Sequence, residues 1–330
     1  MIPTLLRLVV LLLVSFGTLT ALAQTSPFTD HDSSAAASQL EPILLNAKSL
    51  LENGNVPEAE QLTRSYLESH PTSANAHFLL GLILFKEVKA KDSLAEYTIG
   101  ARYRDPSAYD LEIAGLNYVL LGDYLNADKW LSKSVQMDSH NWESWYYLGR
   151  TKYNENRFNE AVTAFQQALK LSPKNIKAED NLGLAYDGLG RKQEAEQAYR
   201  DAIRWQSQAL QEDPGPYLDL GILLIDQNRP QEAISYLQQA TQISPHDPKP
   251  HEQLGKAYTG LQRLPEAQVE LERAVEASPN DAALHYVLGQ IYRRQGMKDK
   301  AQAEFEKSAS LKSLQSGARV LGPADAASRH

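Results

Sequence analysis

Seven glycines, at positions 81, 115, 149, 183, 221, 255 and 289, follow one another at intervals of 34 residues, with a single interval of 38. Leucine precedes six of them (Leu80, Leu148, Leu182, Leu220, Leu254 and Leu288), and Ala114 precedes Gly115. Twelve residues after each glycine comes a small side chain: Ser93, Ala127, Ala161, Ala195, Ala233, Ala267 or Ala301. A glycine inside a helix costs roughly 0.5–1 kcal/mol relative to alanine. Seven in register therefore require a packing reason, the close approach of two helices. A period of this length marks a repeat array.

Each unit reads as a helix, a turn and a second helix. In residues 142–175 the first helix is WESWYYLGRTKYNEN, with Trp145, Leu148 and Gly149 on one face. The turn Asn156-Arg157 leads to FNEAVTAFQQALKLSP, with Ala161, Phe165 and Ala168 on one face and Pro173 as terminator. Apolar residues recur every three or four positions, the helical period. Pro71, Pro173, Pro245 and Pro279 end four second helices at equivalent points.

The pattern W-x2-L-G-x2-Y…A-x3-F-x2-A…P resembles the tetratricopeptide repeat. The resemblance covers eight units: 40–73, 74–107, 108–141, 142–175, 176–213, 214–247, 248–281 and 282–315. It implies an all-α fold, a right-handed superhelical solenoid of stacked helix-turn-helix repeats. The first unit is degenerate, with Ala47 in place of the glycine, and unit two has Val88 where the inter-helix turn usually carries glycine. Unit four carries Lys152 at a usually apolar position, with Tyr153 expected to supply the bulk. The longer interval adds about one helical turn. It is expected to lengthen the second helix of unit five, AYRDAIRWQSQALQED, which Pro214-Gly215-Pro216 would close.

Residues 1–23 combine Arg7, a long apolar run and Ala21-Leu22-Ala23. These features predict a secretory signal cleaved after Ala23, with an uncleaved membrane anchor as the alternative. Residues 24–39 are small and polar and predict a flexible spacer, and residues 316–330 a tail outside the repeats. The expected location is the periplasm or the extracellular space. A balance of 33 Lys+Arg against 41 Asp+Glu argues against nucleic acid as partner. The absence of cysteine excludes disulfides, thiolate nucleophiles and thiolate metal sites. Stability must then come from interfaces between stacked units.

Signals for chemistry are sparse. The eight histidines are scattered and include no His-Glu-x-x-His helix, so they are read as structural. Gly183 to Gly188 mimics half a phosphate loop, but Leu189 stands where lysine belongs. No Gly-x-Ser-x-Gly elbow occurs, and the eight units leave no room for a catalytic domain. The expectation is a non-enzyme with no cofactor and no metal.

Function is then expected on a surface. At about 100° per residue, Glu143, Tyr146, Arg150, Tyr153 and Asn154 lie roughly opposite the packed face of their helix. The resemblance implies that this face lines a concave groove holding a peptide or a partner helix. Carried to matching positions, units one to three supply Leu44, Leu51, Phe78, Leu82, Phe85, Leu116 and Val119, which either face the groove or pack on the neighbouring helix. Unit four supplies Tyr146, Tyr147, Arg150 and Tyr153, residue types that dominate binding hot spots. Units five and six add Asp180, Asn181, Asp187, Asp219 and Asp226, and the last units add Lys256, Arg293 and Arg294. The expected partner is another protein or peptide, acidic or apolar at unit four and basic towards units five and six. A membrane enters only if the N-terminal segment is retained. The alternative is self-association through the final repeat, which lacks an evident polar cap.

Overall fold

The computed structural model of the chain describes residues 41–206 and 212–320, with side chains up to residue 314. Among the described residues there are sixteen helices and no strand. The all-α expectation holds, as a repeat solenoid of helix hairpins. The helices fall into two compact units, divided between Pro173 and Lys174. The first unit holds α1 (Pro42–Glu52), α2 (Val56–Ser69), α3 (Ala74–Lys86), α4 (Ala90–Gly100), α5 (Ala108–Leu120), α6 (Tyr124–Met137), α7 (Trp142–Asn154) and α8 (Phe158–Leu171). The second holds α9 (Ile176–Gly188), α10 (Lys192–Gln206), α11 (Gly215–Asp226), α12 (Pro230–Ile243), α13 (Pro248–Gly260), α14 (Leu264–Ala277), α15 (Ala282–Arg294) and α16 (Lys298–Val320). Within each unit every hairpin packs on the next through its second helix, as α2 on α3 and α12 on α13.

The periodic glycines sit where expected, and the structure shows what each one meets. A Cβ on Gly149 would stand 2.6 Å from Phe165 Cε1, and one on Gly221 2.4 Å from Leu237 Cδ2. Gly81, Gly115, Gly183, Gly255 and Gly289 meet Tyr97, Leu131, Tyr199, Leu271 and Phe305 in the same way. Seven of the eight hairpins thus press a large side chain of the second helix onto bare backbone of the first. The small residue four positions earlier lets the helices approach; Ala127, Ala161, Ala195, Ala233 and Ala267 are fully buried.

Local signals fix the hairpin ends. Ser73, Ser107, Asn141, Asn175, Asp247 and Asp281 cap first helices by accepting backbone N–H bonds. Every inter-helix turn places one residue at positive φ: Gly54, Val88, Gly122, Asn156, Gly190, Asn228, Gln262 and Gly296. Glycine and asparagine suit that conformation, whereas the β-branched Val88, at φ 62°, is strained there.

Three histidines are structural clasps. His77 Nδ1 lies 2.7 Å from Glu96 Oε2 and Nε2 lies 3.0 Å from the Pro71 carbonyl oxygen. His251 repeats this with Glu270 and Pro245, and His285 with Glu304 and Pro279. Each ring thus bridges a glutamate of its own second helix and a backbone carbonyl just before its first helix. In the fourth hairpin Trp145 Nε1 donates to the Ser139 carbonyl in the same place.

Some expectations are corrected. Lys152 is not replaced in function by Tyr153: its side chain is 9% exposed, and its ammonium lies 2.7 Å from Asp128 and 3.3 Å from Glu160. A buried lysine is tolerated because the charge is paired. Pro214-Gly215-Pro216 opens a helix, with Pro214 as N-cap of α11 and Pro216 in its first turn, positions where proline forfeits no helical hydrogen bond. The described part of α10 ends at Gln206, and the expected extension over 207–211 lies outside the described residues. Helix α16 continues to Val320, past the boundary drawn at 315. The signal, the spacer and residues 321–330 also lie outside the described residues.

Candidate functional site

The apolar zone expected in units one to three is packed. Leu44, Leu51, Phe78, Leu82, Phe85 and Leu116 are all buried, and Val119 is half-buried. Every residue of α3 from Ala76 to Phe85 is buried. The Phe78 ring fills the space beside Gly100 and is capped by the Arg104 guanidinium, 4.7 Å from its centroid. Of the two uses open to these residues, packing on neighbouring helices takes them.

On α7 the expected stripe is partly buried. Tyr146 is 6% exposed, its ring 6.0 Å from that of Phe165 and 5.3 Å from that of Tyr147. It is therefore a floor and not a free contact. Arg150 lies over it, with its guanidinium carbon 5.8 Å from the ring centroid. Arg150, Tyr153 and Asn154 remain half-exposed, with Tyr153 edge-on to Phe158 at 5.4 Å. In the second unit the same helical face carries exposed Lys256, Tyr286, Arg293 and Arg294. Arg293 stands over the Phe305 ring at 5.7 Å.

The acidic residues of the expected groove behave differently from one another. Asp187 is ion-paired with Lys192, and Asn181 Nδ2 donates to the Lys177 carbonyl 2.9 Å away on its own helix. Asp219 is half-buried and Asp226 exposed. Asp180 is buried, and its Oδ1 has no hydrogen-bond partner among the described residues. Burial first, then Asp219 and Asp213, hold its carboxyl far above the usual carboxylate range.

A second buried carboxyl escaped the sequence reading. Glu112, on α5, accepts from Ser144 Oγ and from Asn141 Nδ2 (2.9 Å). Burial pushes it up to about 7, with Glu143 adding repulsion and the Ser144 and Asn141 donors opposing the rise. The only sequence signal for it is a lone glutamate within the otherwise apolar run Leu111 to Leu116.

Charges on the second helices are spent internally. Arg157 pairs with Glu160 at 2.6 Å, Arg229 with Glu232 at 2.7 Å, Arg263 with Glu266 at 2.8 Å, and Arg191 with Glu194. Arg191 and Arg263 stand over the Tyr186 and Tyr258 rings as well, whereas Arg150 and Arg293 have a ring contact and form no ion pair among the described residues. Among the described residues no group of three or more His, Asp or Glu is arranged to hold a metal ion, and no helix is long and apolar enough to cross a membrane.

Family models described as "Tetratricopeptide repeat" match residues 44–109, 142–175, 181–248, 224–291 and 282–313. A curated relative, the tetratricopeptide repeat-containing protein trd-1 of Caenorhabditis elegans, is 24% identical over 183 residues, 55% of this chain and 22% of that protein. The chain thus spans less than a quarter of that relative's length. Among solved structures, a tetratricopeptide repeat protein from Parabacteroides merdae superposes with a TM-score of 0.60 at 16% identity, over 76% of this chain and 97% of that one. The APC/C hetero-tetramer Cut9-Hcn1 gives a TM-score of 0.57 at 19% identity, over 89% of this chain and 59% of that one.

Proposed function

Because this chain belongs to the tetratricopeptide repeat family, we propose that it is a non-catalytic scaffold that holds a segment of another protein against the exposed face of its first helices. The observation that carries this reading is the contrast between its arginines. Those at the starts of second helices are locked to a glutamate three residues on, even where they also stand over a ring as Arg191 and Arg263 do, whereas Arg150 and Arg293 stand over aromatic rings and pair with no acid among the described residues. A guanidinium held over a ring and not paired to an acid keeps its donors for a partner's carboxylate. Tyr153 and Asn154 beside Arg150 add rigid contact area and an amide able to bond an extended backbone. The favoured segment is acidic or apolar where it meets α7.

The test is charge reversal. The full chain and its Arg150→Glu variant are used to recover partners from native cells, with quantitative mass spectrometry of the bound material. At least one partner recovered by the parent chain should fall more than tenfold with the variant while the thermal melt stays within a few degrees. Equal recovery of every partner would remove α7 from the site.

The second reading is end-to-end self-association, motivated by Leu314, 67% exposed on α16. Sedimentation across concentrations separates the two, since growth with concentration supports assembly. The N-terminal segment belongs to the same proposal: its basic start, apolar run and Ala21-Leu22-Ala23 support export with cleavage to Gln24. Mass analysis of native protein that begins at Met1 would favour a retained anchor.

A further inference from the structure

The second unit contains a buried carboxylate whose hydrogen-bond donors have been replaced by groups that cannot donate. Aligning Gly115 on Gly183 and Gly149 on Gly221 places Asp180 over Glu112, Asp213 over Asn141 and Pro216 over Ser144. The alignment has a structural check. Asn141 Oδ1 caps the Glu143 N–H at 2.9 Å, and Asp213 Oδ1 caps the Gly215 N–H at 2.9 Å. In the first unit Glu112 is satisfied by an amide from position 141 and a hydroxyl from position 144. In the second unit the matching positions offer another carboxylate and a proline side chain, which has no hydroxyl to donate.

Asp180 is consequently 9% exposed with Oδ1 unpartnered. Its Oδ2 and Asp213 Oδ1 lie 3.2 and 3.1 Å from the point where a Cβ on residue 215 would stand, so both carboxylates converge on a position that glycine leaves vacant. Asp213 occupies the Gly215 N–H, so the start of α11 does not neutralise Asp180. The other charges around the cluster are Asp219 on α11 and, beyond it, Lys249 on α13 with Asp247 and Glu252 around it. Burial lowers the tendency of Lys249 to hold its proton, although Glu252, Asp247 and Asp219 work against that. A buried acceptor left without a donor is costly and is retained where something else supplies the donor.

We propose that Asp180, Asp213 and Asp219 around Gly215 form a receptor for one cationic side chain, an arginine or lysine of the bound segment. The proposal rests on the scaffold reading and adds its charge preference: a bound segment presents a base to α9 and α11. Two carboxylates converging from adjacent hairpins suit a planar guanidinium with parallel N–H donors.

The test uses the full chain labelled with 15N-glycine and two acetylated pentapeptide amides, one with a central arginine and one with citrulline, its uncharged isostere. The arginine peptide should shift the Gly215 amide resonance, with at least tenfold weaker titration by the citrulline peptide and by Asp180→Asn. Asp180→Asn should melt no lower than the parent chain at pH 7, because it replaces a buried carboxyl whose Oδ1 has no partner among the described residues with a neutral carboxamide. A large fall in its melting temperature would overturn the proposal by showing that the carboxylate is already satisfied. Equal titration by citrulline, or by the variant, would overturn it as well. Magnesium or calcium chloride that moves Gly215 and blocks the peptide would make the cluster a metal-ion site instead. The two readings fail separately. Loss of partner recovery with Arg150→Glu but an unmoved Gly215 sinks only this inference; a Gly215 response with no partner dependent on Arg150 sinks only the scaffold.

Discussion

Gly183 faces Tyr199 so closely that a methyl group on the glycine would lie 2.5 Å from the ring. Tyr199 is among the most buried large side chains of the second unit and packs with Leu220 and Leu224 in its core. The ring therefore has nowhere to retreat. Gly183→Ala is expected to lower stability by roughly 1–3 kcal/mol through overpacking. Gly260, at the exposed end of α13, would place its Cβ 3.6 Å from Pro230, an ordinary contact. Gly260→Ala should be neutral or slightly stabilising. Thermal melts of the two variants side by side check the pair, and equal effects would contradict the packing described.

Much of this was legible in the sequence because hairpin packing is local. The glycine, the small residue after it and the ring that follows lie within one repeat, so spacing alone located Gly149, Ala161 and Phe165. What lies between repeats was not legible. Even inside a repeat, a single helical wheel does not encode how far the second helix covers a side chain, as Phe78 beside Gly100 and Tyr146 against Phe165 show. Glu112 and Asp180 depend on the next hairpin, which supplies donors to the first and the carboxylates Asp213 and Asp219 to the second. Lys152 was misread because its partner Asp128 belongs to the preceding repeat.

Val88 is the one β-branched residue at positive φ in an inter-helix turn, and it is largely exposed. Its αL conformation costs an L-residue roughly 1–2 kcal/mol. Val88→Gly should therefore stabilise the chain by about 1 kcal/mol once the lost side-chain contacts and the entropy of glycine are included. A lower denaturation midpoint would show that the valine makes compensating contacts.

Glu112 gives a pH signature. Its folded-state pKa is raised from 4.5 to about 7, so the folded chain binds its proton more tightly than the unfolded chain does. Its contribution favours folding at low pH and is lost as pH rises through that window, by on the order of 3 kcal/mol. Glu112→Gln stays neutral throughout. Relative to the parent chain the variant should therefore gain stability between pH 5 and pH 8. Denaturant midpoints of both proteins at the two pH values measure this, and a constant difference would mean that Glu112 is ionised in the fold at pH 5.

The central claim is that partners meet the first-helix face, and site-specific photo-crosslinking tests it most directly. A benzophenone amino acid is placed in the full chain at position 150 on α7 or 256 on α13, and at control positions 129 on α6 or 232 on α12. All four side chains are at least partly exposed. After irradiation in native cells, adducts to another protein are expected from positions 150 and 256 and not from 129 or 232. Adducts confined to the second-helix positions would contradict the account and move the binding surface to the opposite face.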